Sequence, residues 1–112
     1  MSKLHPVGEV YTASKAQRVV IFTQAAGVIM RRGYTPRLLN TADVRITLAG
    51  ALVEASLLFD NHEAALEDAK FLLLSNHVNE HGAEPWTEFV WELDTEKADA
   101  LLQSIADKVA AS

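Results

Sequence analysis

The chain has 112 residues, of which 49% are hydrophobic and 22% charged, and its formal net charge is −5. This length and balance are typical of one soluble globular domain with a hydrophobic core of its own. The absence of cysteine excludes disulfides and thiolate metal sites or nucleophiles, and the acidic balance argues against nucleic acid as the main partner, because clustered Lys and Arg bind phosphate backbones.

The first twelve residues, MSKLHPVGEVYT, lack the long apolar run of a signal peptide. No stretch reaches the roughly 18 uninterrupted apolar residues that suggest a membrane span. Together with the absence of cysteine, these features predict a cytoplasmic protein that does not bind membranes.

The same twelve residues have the composition of an arm rather than of a helix. Pro6 and Gly8 interrupt any helical pattern, and residues 9–12 suit a short strand. We therefore predict an extended N-terminal arm over residues 1–12 and a single helical domain over residues 13–112.

Helix 1 is predicted over about 14–32, because apolar residues recur there on one helical face. Thr12 or Ser14 can cap its start, and Gly33 after two arginines is a typical stop signal. Small residues cluster at 25–27 and again at 49–51. Either two helices cross closely at these positions, or the residues are simply good helix formers with a tolerated glycine.

The most apolar stretch is residues 42–59, ADVRITLAGALVEASLLF, and we predict it as helix 2. At about 100° per residue, its polar positions fall on one narrow stripe: Asp43, Thr47, Gly50 and Glu54. A helix that is apolar around most of its circumference is a buried helix. The sequence therefore predicts that the other helices pack around helix 2 at the centre of the domain.

Helix 3 is predicted over about 62–74, and a polar loop is predicted over 75–85. The inward-facing residues of helix 3 follow a helical spacing: Ala65, Leu66, Ala69, Leu72 and Leu73. Helix 4 is predicted to start at Asp94 or Thr95, either of which can cap it, and to run to about Ala110.

Residues 86–93, WTEFVWEL, suit two structures. Three of them share one face of a helical turn: Trp86, Phe89 and Val90. Three share one face of a strand: Thr87, Phe89 and Trp91. In the second case, residues 87–92 and 9–12 give a small β element. The predicted fold is all-α, a compact bundle of four main helices around a buried central helix 2, with at most this minor β element.

The segment HVNEH contains the closest approach to a metal site. His77, Glu80 and His81 would supply three ligands if the segment were helical. Its polar, glycine- and proline-containing flanks favour a loop, so we predict solvated histidines, no metal and no cofactor. The chain also lacks a glycine-rich phosphate loop and a nucleophile motif, and we predict that it is not an enzyme.

Trp86, Phe89 and Trp91 lie within six residues of one another, next to the predicted polar loop. Tryptophan is enriched at interface hot spots, but these aromatics could equally close one end of the helical core. If they are exposed, a second copy of the chain or another protein would cover them. They are therefore candidate interaction residues for a homodimer or a protein partner.

A second candidate interaction patch follows helix 1 and contains the following residues: Arg31, Arg32, Tyr34 and Arg37. Such a patch could bind an acidic partner or phosphates. The simpler interpretation is that the arginines compensate the dipole at the end of the helix.

Three short motifs occur in an order that resembles a family of small uncharacterised proteins from actinobacteria and their phages. They are RGYT at 32–35, LAGAL at 48–52 and VWE at 90–92, the last just before a capped helix start. The family has an Arg-Gly-Trp-Thr-like turn, and Tyr34 stands where its tryptophan would be. The resemblance implies a compact helical fold and a phage or actinobacterial origin, and it carries no site residue.

The sequence thus predicts a small non-enzymatic helical module that binds another protein. If the resemblance holds, it would be a phage-encoded modulator of a host protein. The alternative is a nucleic-acid-associated regulator that uses the arginine-rich corner, which the net charge disfavours.

Overall fold

A computed structural model of the protein describes residues 14–38 and 42–112. Within these ranges the chain forms helices and no strand, which confirms the all-α class. The helices are α1 (Lys15–Arg32), α2 (Leu48–Ser56), α3 (His62–His81), α4 (Trp86–Trp91) and α5 (Thr95–Ala111). The predicted arm over 1–12, with its strand at 9–12, lies outside the described residues.

The first helix begins and ends where its capping residues predict. The Ser14 hydroxyl accepts a hydrogen bond from the backbone N–H of Gln17 at 3.0 Å. At the other end, Gly33 has a φ of 84°, which glycine adopts readily, and its N–H donates to the Ile29 carbonyl at 2.8 Å. Both ends of α1 therefore have local hydrogen-bond partners, as the predicted bounds require.

Helix α1 packs against α2, α3 and α5. It contributes three of the largest fully buried side chains of the described core: Ile21, Phe22 and Ile29. Leu52 of α2 and Leu102 of α5 are also fully buried. The predicted central position of helix 2 is not confirmed, since α1 is a helix that touches three others.

Helix 2 is shorter than its apolar pattern predicts. It covers Leu48–Ser56, whereas residues 42–47 are not helical. The Thr47 side chain accepts a hydrogen bond from the Gly50 N–H, and the Asp43 carboxylate accepts one from the Arg45 N–H, both at 3.0 Å. Such local bonds compete with helix formation, and they place the start of α2 six residues later than predicted.

Near the end of residues 42–47, the chain runs beside the segment that follows α1. Ile46 and Tyr34 form an isolated parallel β-bridge, in which the Thr35 N–H donates to the Ile46 carbonyl at 3.0 Å. Ile46 is buried by this pairing, whereas Val44 is 71% exposed. The apolar residues before α2 therefore do not form a continuation of a buried helix.

Helix 3 extends through most of the predicted polar loop and ends at His81. Asn76 and Glu80 on this extension both accept hydrogen bonds from the Lys108 ammonium of α5, at 2.8 and 2.9 Å. The loop prediction was wrong because the polar composition of residues 75–85, with its glycine and proline, outweighed the helical pattern. The true stop is Gly82, whose φ of 60° suits glycine.

Residues 86–91 form the short helix α4, so the helical alternative for this segment is confirmed and the strand alternative over 87–92 is wrong. The helix follows Pro85, whose fixed φ suits the start of a helix. The predicted last helix is confirmed as α5, and the Asp94 carboxylate caps it by accepting from the Lys97 N–H at 2.8 Å. No described helix combines the length and apolar character needed to cross a membrane.

Candidate functional site

The predicted aromatic cluster is divided between the core and the surface. Phe89 is buried, Trp86 is half-buried against the core, and Trp91 is 61% exposed. The ring centroids of Trp86 and Phe89 are 5.8 Å apart. The structure therefore brings Trp86 and Phe89 together at the edge of the core and leaves Trp91 as the exposed member of the three.

The two histidines of HVNEH lie on α3 and not in a loop. Their rings stack at a centroid distance of 5.3 Å, and the His77 ring also lies 4.8 Å from that of Phe89. His77 is buried, so the prediction that it is solvated was wrong, whereas His81 is exposed. The cause is the extension of α3, which places positions 77 and 81 one turn apart on the same face.

The His77 side chain has one hydrogen-bond partner among the described residues. Its Nε2 lies 2.6 Å from the Glu84 carbonyl oxygen, so Nε2 carries the proton and donates, while the buried Nδ1 has no partner within residues 14–38 and 42–112. Among the described residues, no group of three or more His, Cys, Asp or Glu side chains is arranged to hold a metal ion. The absence of a metal site stays a prediction for the whole chain.

The arginine-rich patch is also divided. Arg31 is exposed on the last turn of α1. The Arg32 guanidinium donates to the Val44 carbonyl at 2.8 Å and forms an ion pair with Glu54 of α2. Arg32 therefore fastens α2 and the segment before it to α1. Its Nε and Nη1 are therefore engaged within the protein.

Tyr34 is a buried residue that joins three parts of the fold. Its N–H donates to the Thr95 Oγ1 at 3.0 Å, and its hydroxyl donates to the Val90 carbonyl at 2.7 Å. Burial raises the pKa of Tyr34 to about 12, because the charged phenolate would lose its hydration. Its phenol is thus held neutral between α1, α4 and α5.

Arg37 is exposed, and it differs from Arg32 in its surroundings. Its backbone carbonyl accepts from the Thr35 hydroxyl at 2.9 Å. Within the described part of the chain its guanidinium has no hydrogen-bond or ion-pair partner. Of the two exposed arginines in the predicted patch, Arg37 is the one that also lines a cavity.

The third helix has two apolar faces. One face is buried against the rest of the protein: Ala65, Ala69, Leu73 and His77. On the opposite side, Phe71, Leu74 and Val78 follow the spacing i, i+3, i+7 and are 69%, 48% and 61% exposed. We call these three residues the outer face of α3. This outer face was not predicted, although the run FLLL at 71–74 is apolar on every side of a helix.

A half-open cavity of about 420 Å³ lies between the Tyr34 segment, the start of α2, α3 and α4. Its lining is mostly apolar: Tyr34, Pro36, Arg37, Leu38, Thr47, Leu48, Ala49, Lys70, Leu73, Leu74, Trp86 and Val90. Tyr34 and Leu73 are buried and form its floor, whereas Arg37 and Lys70 are exposed and lie at its mouth. Leu74 belongs both to this lining and to the outer face of α3.

No family model, curated protein or solved structure matches this chain. The resemblance to the actinobacterial and phage family therefore stays a prediction.

Proposed function

We propose that the protein is a non-enzymatic protein-interaction module that binds its partner through the outer face of α3. One observation supports this function above the others. Phe71, Leu74 and Val78 form an apolar stripe on a helix whose opposite face is already buried in the core. The stripe is not needed to complete that core, and exposed contiguous apolar residues mark interaction surfaces.

The spacing of the stripe indicates the kind of partner. Apolar anchors at i, i+3 and i+7 are the pattern by which a helix binds an apolar groove or a second helix. The 20 residues of α3 span about 30 Å, which is long enough for a helix–helix interface. A second copy of the chain presents the same stripe and is the first partner to test.

The predicted aromatic patch contributes less to this surface than its sequence suggests. Phe89 is buried and Trp86 is half-buried, so Trp91 is the member free to contact a partner. The outer face of α3 supplies the exposed apolar area that the sequence predicted at the three aromatic residues. Homodimerisation is therefore proposed through α3, and Trp91 is proposed as an additional contact.

The nucleic-acid alternative has weaker support. Arg32 uses its guanidinium within the protein, which leaves Arg31 and Arg37 as the exposed arginines of the proposed corner. Two arginines release few counterions, and the chain as a whole carries a charge of −5. A cytoplasmic location and a phage origin belong to the proposal as predictions from the sequence.

Light scattering over a concentration series tests self-association first. The test variant is Phe71→Glu/Val78→Glu. The control is Val44→Glu/Leu58→Glu, which introduces the same two negative charges. Val44 and Leu58 are 71% and 62% exposed, which matches the 69% and 61% of Phe71 and Val78. Dimerisation of the wild type and of the control, but not of the α3 variant, is the expected result if the partner is a second copy.

If the wild type is monomeric, the same three proteins are immobilised and used to capture proteins from a bacterial lysate. A protein retained by the wild type and the control but lost by the α3 variant is then purified, and its Kd is measured by calorimetry. The proposal is contradicted when the wild type neither self-associates nor retains any protein in a manner that depends on Phe71 and Val78.

A further inference from the structure

The cavity beside α2 and α3 has the size and composition of a small-molecule site. Its volume of about 420 Å³ falls within the roughly 300–1,000 Å³ that is typical of ligand pockets. Such pockets are mostly apolar and contain a few polar groups that orient the ligand. Leu73, Trp86 and Val90 supply apolar walls, and Arg37 and Lys70 supply charge at the mouth.

The charge at the mouth is unusual for this protein. The chain carries five more acidic than basic residues, yet two cations line this cavity. The Arg37 guanidinium has no partner among the described residues, and Lys70 contacts Glu67 at 3.3 Å in an exposed pair. Exposed pairs of this kind are weak, so both cations can bind an anion from solution.

The first turn of α2 lies on the same wall. Thr47, Leu48 and Ala49 line the cavity at the amino-terminal end of that helix, which adds the positive end of the helix dipole. The two oxygens of a carboxylate can each accept a hydrogen bond from one of the two cations.

We propose that this cavity binds a free small molecule that joins an apolar chain to a carboxylate. The apolar chain lies against Leu73, Trp86 and Val90, and the carboxylate lies at Arg37 and Lys70. This activity goes beyond the proposed protein interaction, because its ligand is a free amphipathic acid and not a protein segment. Phe71 and Val78 are outside the lining, so the two activities can be tested separately.

Trp86 provides a direct reporter of binding. The chain has two tryptophans, and Trp91→Phe changes the exposed one, which leaves Trp86 in the cavity wall as the single tryptophan. This variant is titrated with octanoate, with octanol and with octylammonium, which share one apolar chain. We expect a saturable change of Trp86 emission with octanoate, a weaker one with octanol and none with octylammonium.

Charge-removing variants show where the carboxylate lies. Arg37→Gln/Lys70→Gln should raise the Kd for octanoate about tenfold, because it removes both positive charges that pair with the anion, and should leave the Kd for octanol unchanged. The matched control, Arg31→Gln/Lys97→Gln, removes the same charge at exposed residues outside the lining and should leave both constants unchanged. All four positions are exposed, so these variants should fold.

Three results would overturn the proposal. The first is emission that does not saturate with octanoate, and the second is equal affinity for octanoate and octanol. The third is tighter binding of an acetylated and amidated Leu-Glu dipeptide than of octanoate, which would assign the cavity to a protein segment. Phe71→Glu/Val78→Glu should bind octanoate like the wild type, so loss of protein binding in that variant does not bear on the cavity.

Discussion

Tyr34 belongs to a predicted surface patch, yet its side chain is buried and joins three elements of the fold. The sequence places it correctly after the stop of α1 but gives no sign of its partners, Val90 and Thr95, which lie about sixty residues away along the chain. Long-range hydrogen bonds of this kind leave no local pattern in a sequence. The role of Tyr34 therefore required the structure.

Tyr34→Phe should lower the free energy of unfolding by about 1–2 kcal/mol at neutral pH, because the buried Val90 carbonyl loses its donor. The fold raises the pKa of Tyr34 to about 12, from an ordinary value of about 10, so it favours the neutral phenol. The stability that arises from this raised pKa is complete below pH 10 and is lost as the pH rises through 12. Urea unfolding of both proteins from pH 8 to 12 measures it.

The difference in stability between wild type and Tyr34→Phe should therefore shrink, and then reverse, as the pH rises above 10. Tyr11, the other tyrosine of the chain, and the lysines are present in both proteins, so their titration cancels in this difference. A difference that stays constant from pH 8 to 12 would show that the Tyr34 phenol is not held neutral by the fold.

Gly27 and Gly50 should respond in opposite directions to the same substitution. A Cβ at Gly27 would meet the Arg31 Nη1 at an ordinary 3.6 Å, whereas a Cβ at Gly50 would lie 2.8 Å from the Cγ1 of buried Ile46. Gly27→Ala should stabilise the protein by about 0.5–1 kcal/mol through helix propensity. Gly50→Ala should destabilise it by about 1–3 kcal/mol through overpacking.

Chemical unfolding of the two single variants measures these changes. Two stabilising substitutions would show that Ile46 moves aside without cost. The atoms nearest to a Cβ at Gly27 or at Gly50 belong to residues of the same segment, so neither glycine supports a close crossing of helices 1 and 2. The members of the two small-residue clusters that lie in the core are Ala25, Ala26 and Ala51.

At the scale of elements, the predicted bounds of a helix were accurate where a capping side chain stood at the start of the apolar helical pattern. Helices α1 and α5 begin and end close to their predicted positions, because Ser14 and Asp94 make the expected bonds. Apolar pattern alone failed for helix 2, because Thr47 and Asp43 bond the local backbone and hold the segment before α2 out of the helix. The sequence pattern does not report that competition.

Asp94→Ala should lower the free energy of unfolding by about 1 kcal/mol, because the Lys97 N–H loses its acceptor at the start of α5. Asp94→Asn retains an acceptor at this position and should cost only a few tenths of a kcal/mol. Thermal unfolding compares the two variants. Equal losses would show that charge near the helix start, and not the capping bond, stabilises α5.

At the scale of the whole molecule, the candidate site depends on which apolar residues of α3 the fold leaves exposed. The sequence predicted the inner residues Ala65, Ala69 and Leu73 of α3, and the structure buries all three. It did not predict the outer face, because helical spacing identifies an apolar stripe but not whether a neighbouring helix covers it. Only the arrangement of α1, α2 and α5 decides that.

The cavity was beyond prediction for the same reason. Its two cations, Arg37 and Lys70, are 33 positions apart and are brought together by folding. Arg37 was predicted to form a patch with Arg31 and Arg32, whereas the fold places it in the lining of a cavity together with Lys70.

The central claim is that α3 uses one face for folding and the opposite face for binding, and the free energy of unfolding tests it most directly. Phe71→Glu and Leu73→Glu place the same charge two residues apart, at side chains that are 69% and 4% exposed. Urea unfolding should place Phe71→Glu within about 0.5 kcal/mol of the wild type, as for other surface substitutions. Leu73→Glu should lose several kcal/mol, since it buries an unpaired charge. Comparable losses in both variants would contradict the account, because the outer face would then be part of the core.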